Sequence, residues 1–151
     1  MAEAMSSPTE TRIHASCVAL GGRALLIMGP SGAGKSDLTL RLIDRGARLV
    51  SDDYTVLTVS GGRLHASPPP TIAGLLEIRH IGIIQMAYET NVPVALIIGL
   101  GDRPERMPER PASMNLMGIA LPRVALAGLE PSAPIKAEYA LARFGLPGEA
   151  A

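Results

Sequence analysis

The densest chemistry in the chain lies at Gly29-Pro30-Ser31-Gly32-Ala33-Gly34-Lys35-Ser36. This stretch fits G-x-x-x-x-G-K-[ST] at every fixed position. It follows an apolar run, Arg23 to Met28, and opens a segment of helical spacing, Lys35 to Arg45. Each residue type has a physical reason to be there. Glycines let successive backbone N–H groups turn inward on phosphate oxygens. A helix starting at the loop adds the positive end of its dipole. Lys35 then reaches the β- and γ-phosphates, and the Ser36 hydroxyl ligates Mg²⁺. A nucleotide and Mg²⁺ are the expected ligands. The loop alone specifies binding and not a reaction, so the reaction must be read from other residues.

Asp52 and Asp53 stand 17 and 18 residues after Lys35, at the end of the short strand expected over Arg48–Ser51. A carboxylate so placed beside a phosphate loop meets the metal or positions the nucleophile. Two adjacent ones can divide the work, one on the metal side and one accepting a hydroxyl proton. The competing explanation is that Asp-Asp only opens a turn. Glu77 and Arg79 interrupt the apolar stretch Leu75 to Ile84, where alternation puts both on one face. They are either a surface ion pair or a metal-side carboxylate with a phosphate-binding or structural partner. His14 begins a strand that leads by hairpin into the phosphate-loop strand, and a lone histidine there is more often structural than catalytic. His65 and His80 are isolated and share no metal-ligand spacing. Cys17, the one cysteine, reads as a small buried side chain in an apolar strand.

The elements that must hold these residues follow from period and punctuation. Ile13 to Leu20 is expected as a strand, Gly21-Gly22 as a tight hairpin turn and Arg23 to Met28 as the next strand. Leu38, Leu42 and Ile43 recur at helical spacing, and Gly46 sits where a C-terminal cap glycine belongs. Gly61-Gly62 marks a second hairpin between Tyr54–Val59 and Arg63–Ala66. Pro68-Pro69-Pro70 cannot continue a ladder and makes a stiff connection. Val92 to Leu100 is the best buried-strand candidate. Gly101 to Pro111, with three prolines and six charges, is expected as an exposed loop. Leu116 to Leu126 would supply one or two strands and Lys136 to Phe144 a last helix. Hairpins beside one strand–loop–helix unit imply an α/β fold with a mixed sheet. Residues 1–11 read as a disordered lead-in, and 12–147 as a single domain.

Composition narrows the function class. The 151 residues have 14 basic and 14 acidic side chains, so no charge surplus marks nucleic acid or a membrane surface as partner. Hydrophobic residues make up 47%, yet there is no Trp and one Phe, so the core must be aliphatic. One cysteine permits no internal disulfide, which fits a reducing compartment. No signal-peptide pattern opens the chain, and no apolar run reaches the roughly 20 residues of a membrane span. The expected location is cytoplasmic.

Four stretches together resemble the catalytic domain of the bacterial HPr kinase/phosphorylases: the strand with His14, GPSGAGKS at 29–36, RGARLVSDD at 45–53 and LLEIRHIGII at 75–84. The resemblance covers about residues 12 to 100. It implies a nucleotide domain similar to that of phosphoenolpyruvate carboxykinase, and transfer of phosphate from ATP to a serine of HPr, a phosphocarrier of the sugar phosphotransferase system. It also implies the reverse phosphorolysis with inorganic phosphate. By position, Asp53 matches the acid/base residue, Asp52 its partner carboxylate and Lys35 the phosphate-binding lysine. Ser36 and Glu77 match the magnesium ligands, and His14 the family's functional histidine. His80 stands where members generally carry glycine, and the stretch with the family's functional arginine is not recognisable. Arg123 follows a proline in the late strand without aligning to that arginine. The form resembles short alphaproteobacterial members, without the usual extra N-terminal domain; full-length members assemble as hexamers, so a homo-oligomer is one expectation. Two other readings stay open. One is a P-loop kinase with a small-molecule acceptor. The other is a non-catalytic nucleotide sensor that signals through a partner such as a two-component sensor histidine kinase.

Overall fold

Two Gly-Gly pairs organise the first half of the chain. In the computed structural model, which describes residues 9–149, both are two-residue hairpin loops. Gly21 and Gly22 have φ of 58° and 81°, and Gly61 and Gly62 have φ of 59° and 73°. A loop with positive φ at both central residues matches the twist of the strands it joins, and glycine adopts it without steric cost. After β1 (Glu10–His14), the first pair joins β2 (Ser16–Leu20) to β3 (Arg23–Met28). Beyond helix α1 (Lys35–Asp44) and β4 (Arg48–Ser51), the second joins β5 (Tyr54–Ser60) to β6 (Arg63–Ser67).

The three prolines then force the chain out of the ladder, and Pro70–Ile72 forms a single 3₁₀ turn. A separate two-stranded hairpin follows, β7 (Leu75–Ile78) with β8 (Gly82–Gln85). β9 (Val92–Gly99) returns through the middle of the main sheet and is buried along its whole length. β10 (Ala112–Leu116) and β11 (Ile119–Ala125) form a last hairpin, and α2 (Ala133–Phe144) ends the regular structure.

The main sheet is mixed. Its order runs β1-β5-β6-β9-β3-β2-β4, with β11 pairing β9 and β10 pairing β11. β3, β9 and β11 are mutually parallel, whereas the hairpin partners are antiparallel. β3 and β9 are covered on both faces, which is why their sequences are almost continuously apolar and do not alternate. Leu25 and Ile27 pack with Leu38, Leu42 and Leu141 under the helices. Their neighbours Ala24 and Leu26 pack with Val50, Leu57 and Leu64 on the opposite face. The sheet therefore curls, with the β5–β6 limb closing the face that has no helix. A bulge between Ala24 and Leu25 in the β3–β9 register lets both Ala95 and Leu96 join the helix-side core. The Ala95 carbonyl accepts a hydrogen bond from the Leu146 N–H at 2.9 Å.

The α/β mixed-sheet expectation holds, and three local readings change. The single strand expected over Ile13 to Leu20 is two strands broken at Ala15, because β1 pairs with β5 while β2 pairs with β3 and β4. The last helix begins at Ala133, three residues early, since Pro134 is tolerated in a first turn where no N–H is required. Of the expected lead-in 1–11, residues 1–8 lie outside the described residues, while Glu10 and Thr11 already belong to β1.

Candidate active site

The phosphate loop connects β3 to α1 and takes its shape from two glycines. Gly32 has φ 85°, and Gly34, the N-terminal cap of α1, has φ 98°. Both values lie in the left-handed region that side chains resist. At Gly34 a Cβ would also lie 2.7 Å from Leu129 Cδ2, so space as well as backbone demands glycine. The Ala33 N–H donates to the Pro30 carbonyl at 3.1 Å, and the Leu38 N–H to the Gly34 carbonyl at 2.9 Å. Lys35 is buried, and its Nζ donates to the carbonyls of Gly29 (2.7 Å) and Pro30 (3.1 Å). Its ammonium is thereby fixed inside the loop and not free over the surface.

Ser36, on the first turn of α1, joins the loop to the acidic pair. Its Oγ donates to Asp52 Oδ1 at 2.7 Å. Ser16 Oγ donates to the same oxygen at 3.0 Å, and the Glu77 N–H approaches Asp52 Oδ2 at 3.4 Å. Asp52 is thus a nearly buried carboxylate, 7% exposed, surrounded by donors. Asp53 is its opposite. It occupies the turn between β4 and β5 at φ 70°, a conformation that aspartate tolerates better than most residues. Its side chain is 59% exposed, and Oδ1 meets His14 Nε2 at 2.8 Å. The His14 ring stacks on Tyr54 with centroids 5.1 Å apart. His14 comes from β1 and Asp53 from the β4–β5 turn, and the antiparallel β1–β5 register places His14 opposite Tyr54.

Ser16 was not singled out in the sequence, yet it ties the pair together. It is fully buried, and its Oγ also accepts the Asp53 N–H at 3.1 Å while donating to Asp52. The available signal was a hydroxyl in an otherwise apolar strand, Ser16 to Leu20, two residues after His14.

One cavity of about 640 Å³ brings together His14, Lys35, Ser36, Asp52, Asp53 and Glu77. Arg79 and His80 also line it, from the β7–β8 turn. Glu77 and Arg79 share this cavity, as the alternation argument requires, and among the described residues no ion pair joins them. His80, at the position where the resembled family generally carries glycine, has φ 76°, in the left-handed region. Arg123 does not reach this cavity. Its Nε is paired with Asp102 Oδ2 at 2.8 Å on the far side of the phosphate loop. His65 is distant as well, buried and bonded through Nε2 to Glu149 at 2.6 Å. Cys17 is fully buried, and burial pushes its thiol far above the ordinary range, so it is no nucleophile.

The donor set suits a hard divalent cation. Ser36 Oγ and the Asp52 carboxylate supply adjoining oxygens, Asp52 Oδ2 keeps acceptor capacity, and Glu77 faces the same space. Among the described residues, no cluster of three His, Cys, Asp or Glu side chains is close enough to form a metal cage. Among the described residues, no helix is long and apolar enough to cross a membrane.

Comparison with known proteins gives consistent matches. The family described as HPr Serine kinase C-terminal domain matches residues 5–127. A curated relative from Clostridium botulinum (strain Eklund 17B / Type B), named HPr kinase/phosphorylase, is 47% identical over 77 residues, covering 51% of this chain and 25% of the relative. One from Brevibacillus brevis, of the same name, is 47% identical over 81 residues, covering 53% and 26% respectively. The chain thus aligns with about a quarter of the length of these curated relatives. A solved structure described as the Hpr(Ser) kinase/phosphatase from Coxiella burnetii superposes with a TM-score of 0.75 at 30% identity, covering 87% of this chain and 94% of that one.

Proposed function

The chain belongs to the HPr serine kinase C-terminal domain family, and from that premise we propose that residues 12–147 form the catalytic domain of an ATP- and Mg²⁺-dependent protein-serine kinase acting on HPr. One observation carries the reading: the phosphate loop and the acidic pair meet through the 2.7 Å Ser36–Asp52 hydrogen bond, with Asp53 exposed beside them.

Their different burial supports giving the two carboxylates different work. Asp52 is already engaged by Ser16, Ser36 and the Glu77 N–H, and it faces the phosphate loop. It is the metal-side carboxylate, with Ser36 and Glu77 as the other protein oxygens. Mg²⁺ held there would neutralise phosphate charge that develops during transfer. Asp53 keeps one oxygen clear of His14 and stands at the mouth of the cavity. It accepts the proton of the incoming serine hydroxyl as the seryl oxygen bonds to the γ-phosphorus and the bond to ADP breaks. His14 holds the Asp53 carboxylate in position through the 2.8 Å contact, braced by the Tyr54 ring. Lys35 and the backbone amides of Gly29–Ser36 bind the phosphates, which is mainly positioning and electrostatics. In phosphorolysis the same Asp53 returns its proton to the seryl oxygen while inorganic phosphate takes the phosphoryl group, releasing pyrophosphate.

An exposed base in a loop turn favours a protein acceptor over a small enclosed one, because the cavity is open where Asp53 stands. The nucleotide-sensor reading, with a two-component sensor kinase as partner, gives the Asp53–His14 pair no task. A homo-oligomer would use the apolar surface left by Ile81 and Ile83 on the β7–β8 hairpin, 73% and 67% exposed.

The test is transfer of γ-labelled phosphate from ATP to purified HPr in Mg²⁺, beside HPr whose acceptor serine is replaced by alanine. Label on wild-type HPr alone is expected. No label on either, with ATP still bound, removes the HPr-kinase reading and leaves the sensor or a kinase with another acceptor.

A further inference from the structure

A second cavity opens on the other side of the phosphate loop from the aspartates, bounded by residues 102–112 and by the end of β11 with the loop after it. Its volume is about 460 Å³, within the range of roughly 300–1,000 Å³ typical of small-molecule sites. Its position follows from topology. β3, β9 and β11 run parallel, so the phosphate loop and the loops after β9 and β11 leave the sheet at one carboxyl edge. β4 is antiparallel to β2, and β2 to β3, so the aspartates leave at that edge as well. Along it, β4 lies to one side of β3 and β9 with β11 to the other. Open α/β sheets bind ligands in such a crevice.

The wall between the two cavities is the phosphate loop and what packs on it. A Cβ on Gly101 would lie 2.6 Å from Pro30 Cδ, and one on Gly128 would lie 2.9 Å from the Ala33 carbonyl oxygen. Leu129 lines the aspartate side, and its neighbour Glu130 lines the other. The second cavity starts one residue past the Gly101–Pro30 contact, at Asp102.

A bound nucleoside triphosphate has a direction. Its terminal phosphate must face Asp53 to be transferred, and its phosphates fill the loop. The nucleoside end must then point away from β4, toward β9 and β11. The lining there matches a base. Pro104, Pro108 and Leu126 give apolar contact, and Arg103, Arg106 and Arg110 bring three guanidinium planes. None of the lining residues is aromatic, so the stacking partners on offer are guanidinium groups, which pack well on π-faces. Arg123 and Lys136 are committed to the wall through Asp102 (2.8 Å) and Glu130 (3.0 Å). The other three arginines have no hydrogen-bond or ion-pair partner among the described residues. Five basic against three acidic side chains also give the lining a surplus suited to a polyanion.

We infer that this cavity takes the nucleoside moiety of the triphosphate held by the phosphate loop, with its base stacked on the arginines of residues 103–110. The inference rests on the nucleotide-binding reading given above.

The experiment is calorimetric titration of the protein, with Mg²⁺, by ATP and separately by inorganic triphosphate. The comparison protein carries Arg103→Lys, Arg106→Lys and Arg110→Lys together, which keeps every charge and removes every guanidinium plane. Wild type is expected to bind ATP more tightly than triphosphate. The triple variant should lose about five- to tenfold in ATP affinity and none for triphosphate. Unchanged ATP affinity in the variant overturns the inference and leaves the phosphate loop intact, as does an equal loss for both ligands. Failure of wild type to bind either ligand overturns the phosphate-loop reading itself, and the inference falls with it.

Discussion

Asp52 and Asp53 are adjacent in sequence and differ in everything that matters to their chemistry. One is clasped by two hydroxyls and a backbone amide, and the other stands in solvent against a single histidine. Ser16 creates the difference, because its one hydroxyl donates to the Asp52 carboxylate and accepts from the Asp53 backbone. Two substitutions separate positioning from proton transfer. Asp53→Asn should cut phosphoryl transfer by about a hundredfold or more, the scale of a lost general base. It should leave both ATP affinity and the urea midpoint near wild type, since the side chain is exposed. Ser16→Ala should instead lower unfolding free energy by about 1–3 kcal/mol, leaving the Asp53 N–H without its acceptor. Urea titration together with initial rates distinguishes them. An Asp53→Asn protein that transfers at the wild-type rate would remove Asp53 from the chemistry.

The β7–β8 hairpin presents Glu77 and Arg79 to the cavity that holds Asp52 and Asp53, at the cost of a strained turn. His80 sits at φ 76°, where a side chain costs about 1–2 kcal/mol relative to the right-handed region. Glycine enters that region freely but loses more backbone entropy on folding. The balance predicts that His80→Gly stabilises by about 0.5–1 kcal/mol, while the β-branched His80→Val destabilises. Chemical denaturation of the two variants measures both signs, and stabilisation by valine would contradict the strain. The α1 terminus is a harder constraint, since Gly34 combines φ 98° with a Leu129 methyl 2.7 Å from any added Cβ. No side-chain cap closes that helix start, which leaves its N–H groups to the ligand.

At the scale of the molecule, the sheet is a layer between two aliphatic cores. The helices cover one face and the curled β5–β6 limb the other. The limb also positions the site, because β1 rides on β5 and carries His14, and Asp53 occupies the turn that starts β5. Leu57 is fully buried where the limb closes over Leu26 and Val50. Leu57→Ala should cost about 2–5 kcal/mol, in the range of buried leucine truncations. If the limb is integral, fluorescence-free probes such as far-ultraviolet circular dichroism and loss of ATP binding should report one coincident transition. Separate transitions would mean that the limb folds on its own.

The phosphate loop, both Gly-Gly hairpins, the first helix and the buried β9 strand were legible in the sequence, because each depends on local rules: glycine for positive φ, period for burial, a fixed spacing for phosphate binding. The acidic pair was legible as a pair. Its asymmetry was not, because the donors that create it arrive from β2, α1 and β7, distant in sequence and brought together only by the sheet order. The break at Ala15 was hidden for the same reason: an apolar run does not say that its two halves pair with different strands. Composition and spacing determined which residues are equipped to meet a ligand. Tertiary structure decided which carboxylate is buried, which is exposed, and that a second cavity lies past the phosphate loop, since burial and hydrogen-bond partners are set by long-range packing that no local spacing encodes.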